Sequence, residues 1–477
     1  MCEAGAMIFK IHQLILDDVV YIASVNDIID AQAVNTEYAV SRTSDKFAQM
    51  FTRMDDEYMR ARAADISDVS ERVIKILLGK NSESIQSEEP VIIAVSDLAP
   101  SQTVQLDKSK TLGFITFRGS SNSHTAILAR TMNLPAIVGT GEIDAAYNGA
   151  LAVVNGIDGT VIIDPDDDTL ERMHRIKAES EEKHRLLLKL KGKPNVTKDG
   201  RNIRVYANIA APSDIESVLG NDAGGIGLFR SEFLYLENST YPTEEQQFEA
   251  YREVVRKMEG KRVIIRTLDL GSDKTADCFG LDPEENPALG YRAIRISLSR
   301  PELFKTQLRA IFRASAYGNV AVMFPMITSV EEVRRVKEIC AEVMAELDSE
   351  GTAFDRSIEM GIMIETPAAA LISAALAKEV DFFSIGTNDL SQYTLAIDRQ
   401  NPRLDEFFNP HHEAIMELIR ITAENAHKAG IWCGICGELG ADTTLTEQFI
   451  LMGIDELSVS PHSVLKVREK IRSLDLS

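Results

Sequence analysis

The C-terminal half of the sequence predicts a TIM (β/α)8 barrel within a multidomain α/β protein. Between about residues 203 and 460, short apolar runs rich in β-branched residues alternate with amphipathic stretches long enough to form crossover helices. There are eight such runs, at 203–209, 224–229, 262–268, 320–324, 361–365, 382–386, 431–436 and 456–460. Eight successive strand–helix units are typical of this barrel.

The sequence ahead of the barrel changes character twice. Residues 1–80 show helical periodicity, many acidic residues and little glycine or proline, which predicts a helical domain. Residues 81–165 contain strand-like runs broken by glycine and proline, with one helix beginning near Ser123, and predict a small α/β domain. Residues 166–200 begin acidic and continue basic, which favours a linker helix leading into a barrel at 201–477.

Several polar residues follow the predicted barrel strands at their carboxyl ends, where TIM barrels carry their active sites. These residues are Arg230, Arg266, Glu365, Asn388, Asp389 and Cys436. Glu365 and Asp389 follow successive strands, and hard carboxylate ligands in such small number are typical of magnesium sites completed by a phosphorylated substrate. The alternative is that each carboxylate only caps a helix or pairs with an arginine.

Composition narrows the class of protein. A net charge of −22 argues against nucleic acid or an anionic membrane as the main partner. No secretory signal or apolar stretch of about 18 residues is present, so we expect a cytoplasmic protein without membrane insertion. The odd number of cysteines, at positions 2, 278, 340, 433 and 436, indicates reduced thiols.

The small α/β domain contains a second chemical centre, His124, which opens a predicted helix after a loop of small residues. Free amides at a helix N-terminus attract anions, and a small-residue loop lets a phosphate approach the backbone. A phosphorylated imidazole would be stabilised there. The alternative is a histidine near the helix cap with no chemical role.

Motifs from about residue 8 to 470 resemble enzyme I of the bacterial phosphoenolpyruvate:sugar phosphotransferase system, the phosphoenolpyruvate-protein phosphotransferase family. They include SHTAILAR (123–130), GIGLFRSEFLY (225–235), RTLDLGSDK (266–274), IETPAA (364–369) and SIGTNDLSQYTLAIDR (384–399). Members of this family usually carry a further N-terminal segment of several dozen residues, so we expect the helical domain to be N-terminally truncated.

The resemblance implies that the chain transfers phosphoryl from phosphoenolpyruvate to His124 and then to the phosphocarrier protein HPr, which binds the helical domain. The small domain would be the swivelling phosphohistidine domain, and the barrel would bind phosphoenolpyruvate and form a homodimer. The implied substrate-binding residues are Arg230, Arg266, Arg292, Asn388, Asp389 and Arg399. Mg²⁺ would be held by Glu365 and Asp389, and Cys436 would donate the proton that converts enolpyruvate to pyruvate.

Cys433 and Cys436 form a C-x-x-C pair, but further soft ligands or a thioredoxin-like context are missing, so we expect Cys433 to be a core residue. Pyruvate phosphate dikinase and phosphoenolpyruvate synthase need a nucleotide-binding domain for which 477 residues leave no room. A truncated or regulatory paralogue that binds phosphoenolpyruvate or HPr without efficient transfer remains the alternative.

Overall fold

The computed structural model of the chain comprises two compact units, Met1–Glu181 and Glu182–Ser477. The residues it describes are 16, 19–52, 57–79, 89–96, 110–117, 129, 134–236, 241–271, 279, 281, 284–399 and 401–477. Across these residues, no helix is both long enough and apolar enough to cross a membrane.

The first unit begins with three helices, α1 (Val19–Gln32), α2 (Thr36–Thr52) and α3 (Glu57–Leu77). Their apolar faces form a small core that includes Tyr21 and Ile66. The hydroxyl of Tyr21 shares a 2.6 Å hydrogen bond with that of Ser70, so this buried polar group has a partner. The prediction of an N-terminal helical domain is confirmed.

The described residues between the three helices and Asp164 contain five β-strands, in the segment where the sequence predicted a small α/β domain. Its strands are β1 (Val91–Val95), β2 (Thr111–Thr116), β3 (Ala136–Val138), β4 (Ala152–Asn155) and β5 (Thr160–Ile163). The first three form a parallel sheet in the order β1-β2-β3, and β4 pairs with β5 as an antiparallel hairpin. The helix predicted to begin near Ser123 lies outside the described residues. Helix α4 (Asp167–Leu188) lies within the segment 166–200, where the sequence predicted a linker helix.

The second unit is a closed barrel of eight parallel strands, so the predicted TIM barrel is confirmed. The strands are β6 (Arg204–Ile209), β7 (Ile226–Arg230), β8 (Val263–Arg266), β9 (Val320–Phe324), β10 (Glu359–Ile364), β11 (Phe382–Ile385), β12 (Trp432–Ile435) and β13 (Glu456–Val459). Pairing of β13 with β6 closes the barrel. All five residues of β9 are buried, which explains why such strands appear in the sequence as continuous apolar runs.

Helices surround the strands and cover the outer face of the barrel. They are α5 (Ile215–Gly220), α6 (Phe233–Leu236), α7 (Glu244–Lys257), α8 (Ile294–Ser299), α9 (Pro301–Ser315), α10 (Val330–Ser349), α11 (Pro367–Leu371), α12 (Ser373–Leu376), α13 (Thr387–Leu395), α14 (Glu413–Ala429), α15 (Thr446–Leu451) and α16 (Val464–Ser473). A single large apolar core fills the space between strands and helices. Cys433 is fully buried in this core, as predicted.

Candidate active site

A cavity of about 600 Å³ opens at the carboxyl ends of the barrel strands. It brings together every site residue that the sequence predicted in the barrel. These residues are Arg230, Arg266, Arg292, Glu365, Asn388, Asp389, Arg399 and Cys436. Because parallel strands end at the same rim, residues far apart in the chain converge there.

Two buried arginines are held by carboxylates on the cavity wall. Arg266 ends β8, and its Nη1 lies 2.8 Å from Asp269 Oδ2 while its Nη2 lies 2.8 Å from Glu232 Oε1. Arg292 Nη2 lies 3.1 Å from the other oxygen of Asp269. Asp269 therefore joins the two guanidinium groups and fixes their relative orientation, which suits bidentate recognition of an anion.

The surroundings of Arg266 and Arg230 shift their pKa values in opposite directions. Burial by itself lowers the pKa of Arg266, but the carboxylates of Asp269 and Glu232 outweigh it and leave the pKa above its ordinary value. Arg230 stands at the open face of the cavity, where desolvation first and the charge of Arg266 second lower its pKa. A guanidinium remains charged even so, and an anionic ligand beside Arg230 would reverse the effect.

Glu365 follows β10 and is almost completely buried, at 1% exposure. Its Oε1 accepts a 2.5 Å hydrogen bond from the backbone N–H of Met326. Burial raises the pKa of Glu365 well above its ordinary value, and the nearby charges of Asp269 and Asp389 raise it further. Such mutual repulsion among buried carboxylates would be relieved by a cation placed between them.

Helix α13 supplies a further part of the cavity wall. Asn388 accepts a 2.9 Å hydrogen bond from the N–H of Glu438 and donates a 3.2 Å bond to its side chain, which fixes the amide. Asp389 lies in the first turn of α13, with its Oδ1 at 3.9 Å from Arg399 Nη2. The amide and the carboxylate are thereby placed at the cavity, beside Glu365.

Cys436 follows β12 and lines the cavity, with 2% exposure. Burial raises the pKa of its thiol to about 12. The group is therefore a neutral thiol near pH 7 and holds a proton that it can donate. Cys433, in contrast, belongs to the outer core and does not line the cavity.

The charged side chains that line the cavity favour a cation as well as an anion. Its wall carries four arginines and six carboxylates, so formal negative charge exceeds positive charge before any anionic ligand enters. Hard carboxylate oxygens suit Mg²⁺. Among the described residues, no three His, Cys, Asp or Glu side chains are grouped closely enough to hold a metal ion by themselves.

Several residues that shape this site were not predicted from the sequence. Glu232 and Asp269 hold the arginines, and Met326 binds Glu365 through its backbone. The two acids could have been found by the rule applied to Glu365, since each follows a barrel strand by two or three residues. The contact of Met326 could not be predicted from the side-chain pattern, because it is made by the backbone N–H. His124 lies outside the described residues.

Three sequence families match the chain in order. Residues 2–62 match the N-terminal part of PEP-utilising enzymes, residues 87–159 match their mobile domain, and residues 184–476 match their PEP-binding domain. His124 falls within the mobile domain and the cavity within the PEP-binding domain. Together with the barrel and its rim site, these matches define a PEP-utilising enzyme.

Curated relatives specify the family further. A phosphoenolpyruvate-protein phosphotransferase of Listeria monocytogenes is 45% identical over 100% of this chain and 83% of its own length. A phosphoenolpyruvate-protein phosphotransferase of Bacillus subtilis is 45% identical over 98% of this chain and 83% of its own length. A solution structure of an Enzyme I protein is 36% identical, covers 37% of this chain and 72% of that chain, and has a TM-score of 0.32. The chain belongs to the phosphoenolpyruvate-protein phosphotransferase family.

Proposed function

We propose that this chain transfers the phosphoryl group of phosphoenolpyruvate to its own His124 and then to the phosphocarrier protein HPr, with release of pyruvate. The observation that carries the proposal is the rim cavity, which gathers arginines, carboxylates, an amide and a protonated thiol in a protein of this family. The sugar phosphotransferase system is the pathway that this reaction serves. Nothing in the comparisons favours a paralogue that only binds.

Arg230, Arg266, Arg292 and Arg399 are the proposed binding groups for phosphoenolpyruvate, together with Asn388 and Asp389. The substrate carries a carboxylate and a phosphate, and fixed guanidinium groups recognise both in a planar, bidentate manner. Asp269 orients Arg266 and Arg292 before substrate arrives. Such preorganisation stabilises the charge that develops in phosphoryl transfer without reorganisation at the moment of reaction.

Glu365 and Asp389 are the proposed protein ligands of Mg²⁺. The repulsion among buried acids and the surplus of carboxylates support a cation at this position. When bound, the metal would supply charge stabilisation for the phosphate and for the enolate that leaves it. The Met326 N–H holds one oxygen of Glu365 and limits the directions in which the carboxylate can turn.

Cys436 is the proposed proton donor. Transfer of phosphoryl to the His124 imidazole breaks the bond between phosphorus and the enol oxygen and leaves the enolate of pyruvate. The thiol proton then forms the new C–H bond at the methylene carbon, and the thiolate recovers a proton from solvent. Because burial keeps the thiol protonated near pH 7, the donor is loaded before each turnover.

The small α/β domain must carry His124 to substrate and then to HPr, and we assign HPr binding to the N-terminal helical domain. A barrel-mediated homodimer in the cytoplasm completes the proposal. The domain limits that we assign are 1–80, 81–165, 166–200 and 201–477.

Transfer of label from phosphorus-labelled phosphoenolpyruvate tests the reaction. With Mg²⁺ present, we expect acid-labile label on the wild-type chain, and after HPr is added the label should move to HPr. His124→Ala should remove labelling, whereas His174→Ala on α4, an exposed histidine elsewhere in the chain, should leave it unchanged. Substrate binding without any labelling of the wild type would refute the proposed transfer.

The metal assignment has a separate test. Glu365→Gln and Asp389→Asn keep the size of each side chain but weaken it as a ligand, so Mg²⁺-dependent turnover should fall by at least about a hundredfold, of the order expected for lost metal or transition-state charge stabilisation. Glu379→Gln, in an ion pair with Arg334 outside the cavity, is the matched control. Full turnover in both cavity variants would rule out this metal site.

A further inference from the structure

A buried carboxyl group inside the barrel is not used by the proposed mechanism. Glu456 opens β13, and its side chain is 1% exposed. Neither of its oxygens receives a hydrogen bond from the described residues. A charged group in this position would be costly, because no donor compensates for its loss of water.

The side chain of Glu456 points into the barrel. A Cβ atom placed on Gly227 would lie 2.4 Å from Glu456 Oε1 and 2.4 Å from Ser458 Oγ. Gly227 belongs to β7, which is separated from β13 by β6, so a contact between them crosses the barrel interior. Because Glu456 Oε1 and Ser458 Oγ would both lie 2.4 Å from the same added atom, they cannot be more than twice that distance apart. Gly227 has no side chain, and this leaves space for both oxygens.

From Ser458 a hydrogen-bonded path leads to Cys436. Ser458 Oγ donates to Asn208 Oδ1 at 2.6 Å. Asn208 Nδ2 then donates to the backbone carbonyl of Cys436 at 2.9 Å and to that of Ser458 at 3.2 Å. The end of β12 that carries the thiol is therefore tied to the strand that carries Glu456.

The charged and titratable groups around Glu456 come from several strands. They are Arg204 and Tyr206 of β6, Arg262 before β8, Glu359 of β10, Cys433 of β12, Cys436 directly after β12, and Asp455 before β13. Arg262 is engaged by Glu359, at 2.5 Å between Nη2 and Oε1. Burial raises the pKa of Glu456 to about 8, although Arg204 and Arg262 oppose the rise. Near pH 7 the neutral form of the carboxyl group therefore predominates.

We propose that Glu456 is a positioning residue whose own carboxyl group stays uncharged inside the barrel while Cys436 exchanges its proton, acting beside the Ser458–Asn208 link. The inference rests on the role of Cys436 in the proposed function. When the thiol proton passes to the enolate carbon, a buried thiolate is left. A carboxylate at Glu456 would repel that thiolate, and a neutral carboxyl group does not.

The test uses pyruvate instead of phosphoenolpyruvate, so that neither His124 nor HPr takes part. In D₂O with Mg²⁺, the thiolate of Cys436 removes a methyl proton from bound pyruvate and leaves the enolate. The thiol exchanges this proton with D₂O and then returns deuterium to the enolate carbon, and proton NMR follows the loss of the methyl signal. The exchange rate rises with pH because a larger fraction of Cys436 is present as the thiolate. In the wild type, this rise should slow above pH 8, the approximate pKa of Glu456, because the ionised carboxylate disfavours the thiolate.

Glu456→Gln provides the decisive comparison, since the amide is nearly isosteric and does not ionise. We expect exchange within about threefold of wild type near pH 6.5 and about threefold to tenfold faster than wild type near pH 9.5, without the break. A purely structural role would slow exchange at every pH. Glu359→Gln, which removes a carboxylate at the same end of the barrel, should keep the break.

Ser458→Ala is a second variant, which gives an independent measurement if Glu456→Gln does not fold. It interrupts the link to Asn208 but retains Glu456, so exchange should slow several-fold while the break persists. A wild type without the break, or a Glu456→Gln variant that retains it, would overturn the inference even if His124 is labelled normally. Normal exchange profiles in a chain that fails to label would overturn only the phosphotransfer proposal. Wild type without exchange would overturn the role of Cys436 and the inference with it.

Discussion

At the scale of single residues, two non-glycine residues adopt left-handed backbone conformations beside the cavity. Met326 has φ 57° and directs its N–H at Glu365, and Ala293 has φ 51° immediately after Arg292. Both side chains are buried. Such conformations cost about 1–3 kcal/mol for residues with a Cβ. The orientation of the carboxylate and of the arginine is thus maintained at a local cost in stability.

Replacement of Ala293 by glycine tests this strain. Ala293→Gly relieves the left-handed backbone but removes a buried methyl group and adds unfolded-chain freedom, so the free energy of unfolding should change by less than about 1 kcal/mol. Ala310→Gly removes an equally buried methyl from the middle of α9 without relieving strain and should cost about 1–2 kcal/mol. Chemical denaturation of both variants provides the comparison. Equal losses would show that Ala293 is unstrained.

The raised pKa of Glu365 predicts a pH dependence of metal binding. Metal binding requires the carboxylate, whereas burial and the charges of Asp269 and Asp389 favour its protonated form. Below the raised pKa, the apparent affinity for Mg²⁺ should therefore fall by up to about tenfold for each unit of pH decrease. Calorimetric titration of His124→Ala with Mg²⁺ in the presence of phosphoenolpyruvate measures it without turnover.

The control for this titration is the same measurement on His124→Ala combined with Glu365→Gln. Since glutamine has no proton to release, the residual Mg²⁺ affinity should depend much less on pH. The same steep dependence in both proteins would assign the proton to another group.

At the scale of secondary-structure elements, the helices around the barrel begin at well-defined caps. Thr243 and Gln246 form a capping box at α7, and Ser329 and Glu332 form one at α10. Each box satisfies backbone N–H groups that have no partner within the helix. Because α10 follows β9 by a short loop, its cap also helps to define the loop that contains Met326.

Removal of the α10 cap should destabilise the barrel. Ser329→Ala removes the acceptor of the Glu332 N–H, a 3.2 Å hydrogen bond, and should cost about 1 kcal/mol of unfolding free energy. Ser349→Ala at the other end of α10 removes only an exposed hydroxyl that bonds to the Glu346 carbonyl and should cost less than about 0.5 kcal/mol. Denaturant unfolding monitored by circular dichroism distinguishes the two. Equal costs would mean that the cap adds no stability.

At the scale of the whole molecule, recognition and phosphoryl relay are assigned to different units. Every residue that lines the cavity lies between Ala210 and Glu438, inside the unit Glu182–Ser477. This unit closes its own barrel through β13 and β6 and has its own large core. His124 belongs to the other unit.

A fragment of residues 167–477, which retains the whole of α4, should therefore bind phosphoenolpyruvate with Mg²⁺ within about threefold of the affinity of the full chain, since no cavity residue is removed. It should carry no label, because it lacks His124. Binding calorimetry on the fragment and on full-length His124→Ala gives the comparison. Loss of binding in a folded fragment would mean that the first unit contributes to the site.

The barrel strands could be predicted from the sequence because an apolar run and the turn residues that end it are visible among neighbouring residues. The run VAVMF at 320–324 is apolar throughout, as expected for a strand covered on both faces, and it coincides with β9. The strand-like run LAVVNGIDGTVII spans residues 151–163, and its residues 156–159 turn the chain so that β4 and β5 form a hairpin. The position of Glu365 at the rim of the barrel could also be predicted, because Glu365 comes directly after a predicted parallel strand and such strands end at the same rim.

The sequence by itself determined the barrel, the helical N-terminal domain and the set of polar residues at the rim, because strand periodicity and strand ends are visible in neighbouring residues. Tertiary structure alone decided that Asp269 joins Arg266 to Arg292, that the Met326 amide binds Glu365, and that Glu456 lies inside the barrel near Ser458. These contacts depend on closure of the barrel, which brings together atoms from strands far apart in the chain and excludes water around them. The same exclusion of water shifts the pKa values of Glu365, Cys436 and Glu456, and no property of the isolated residues could have supplied those shifts.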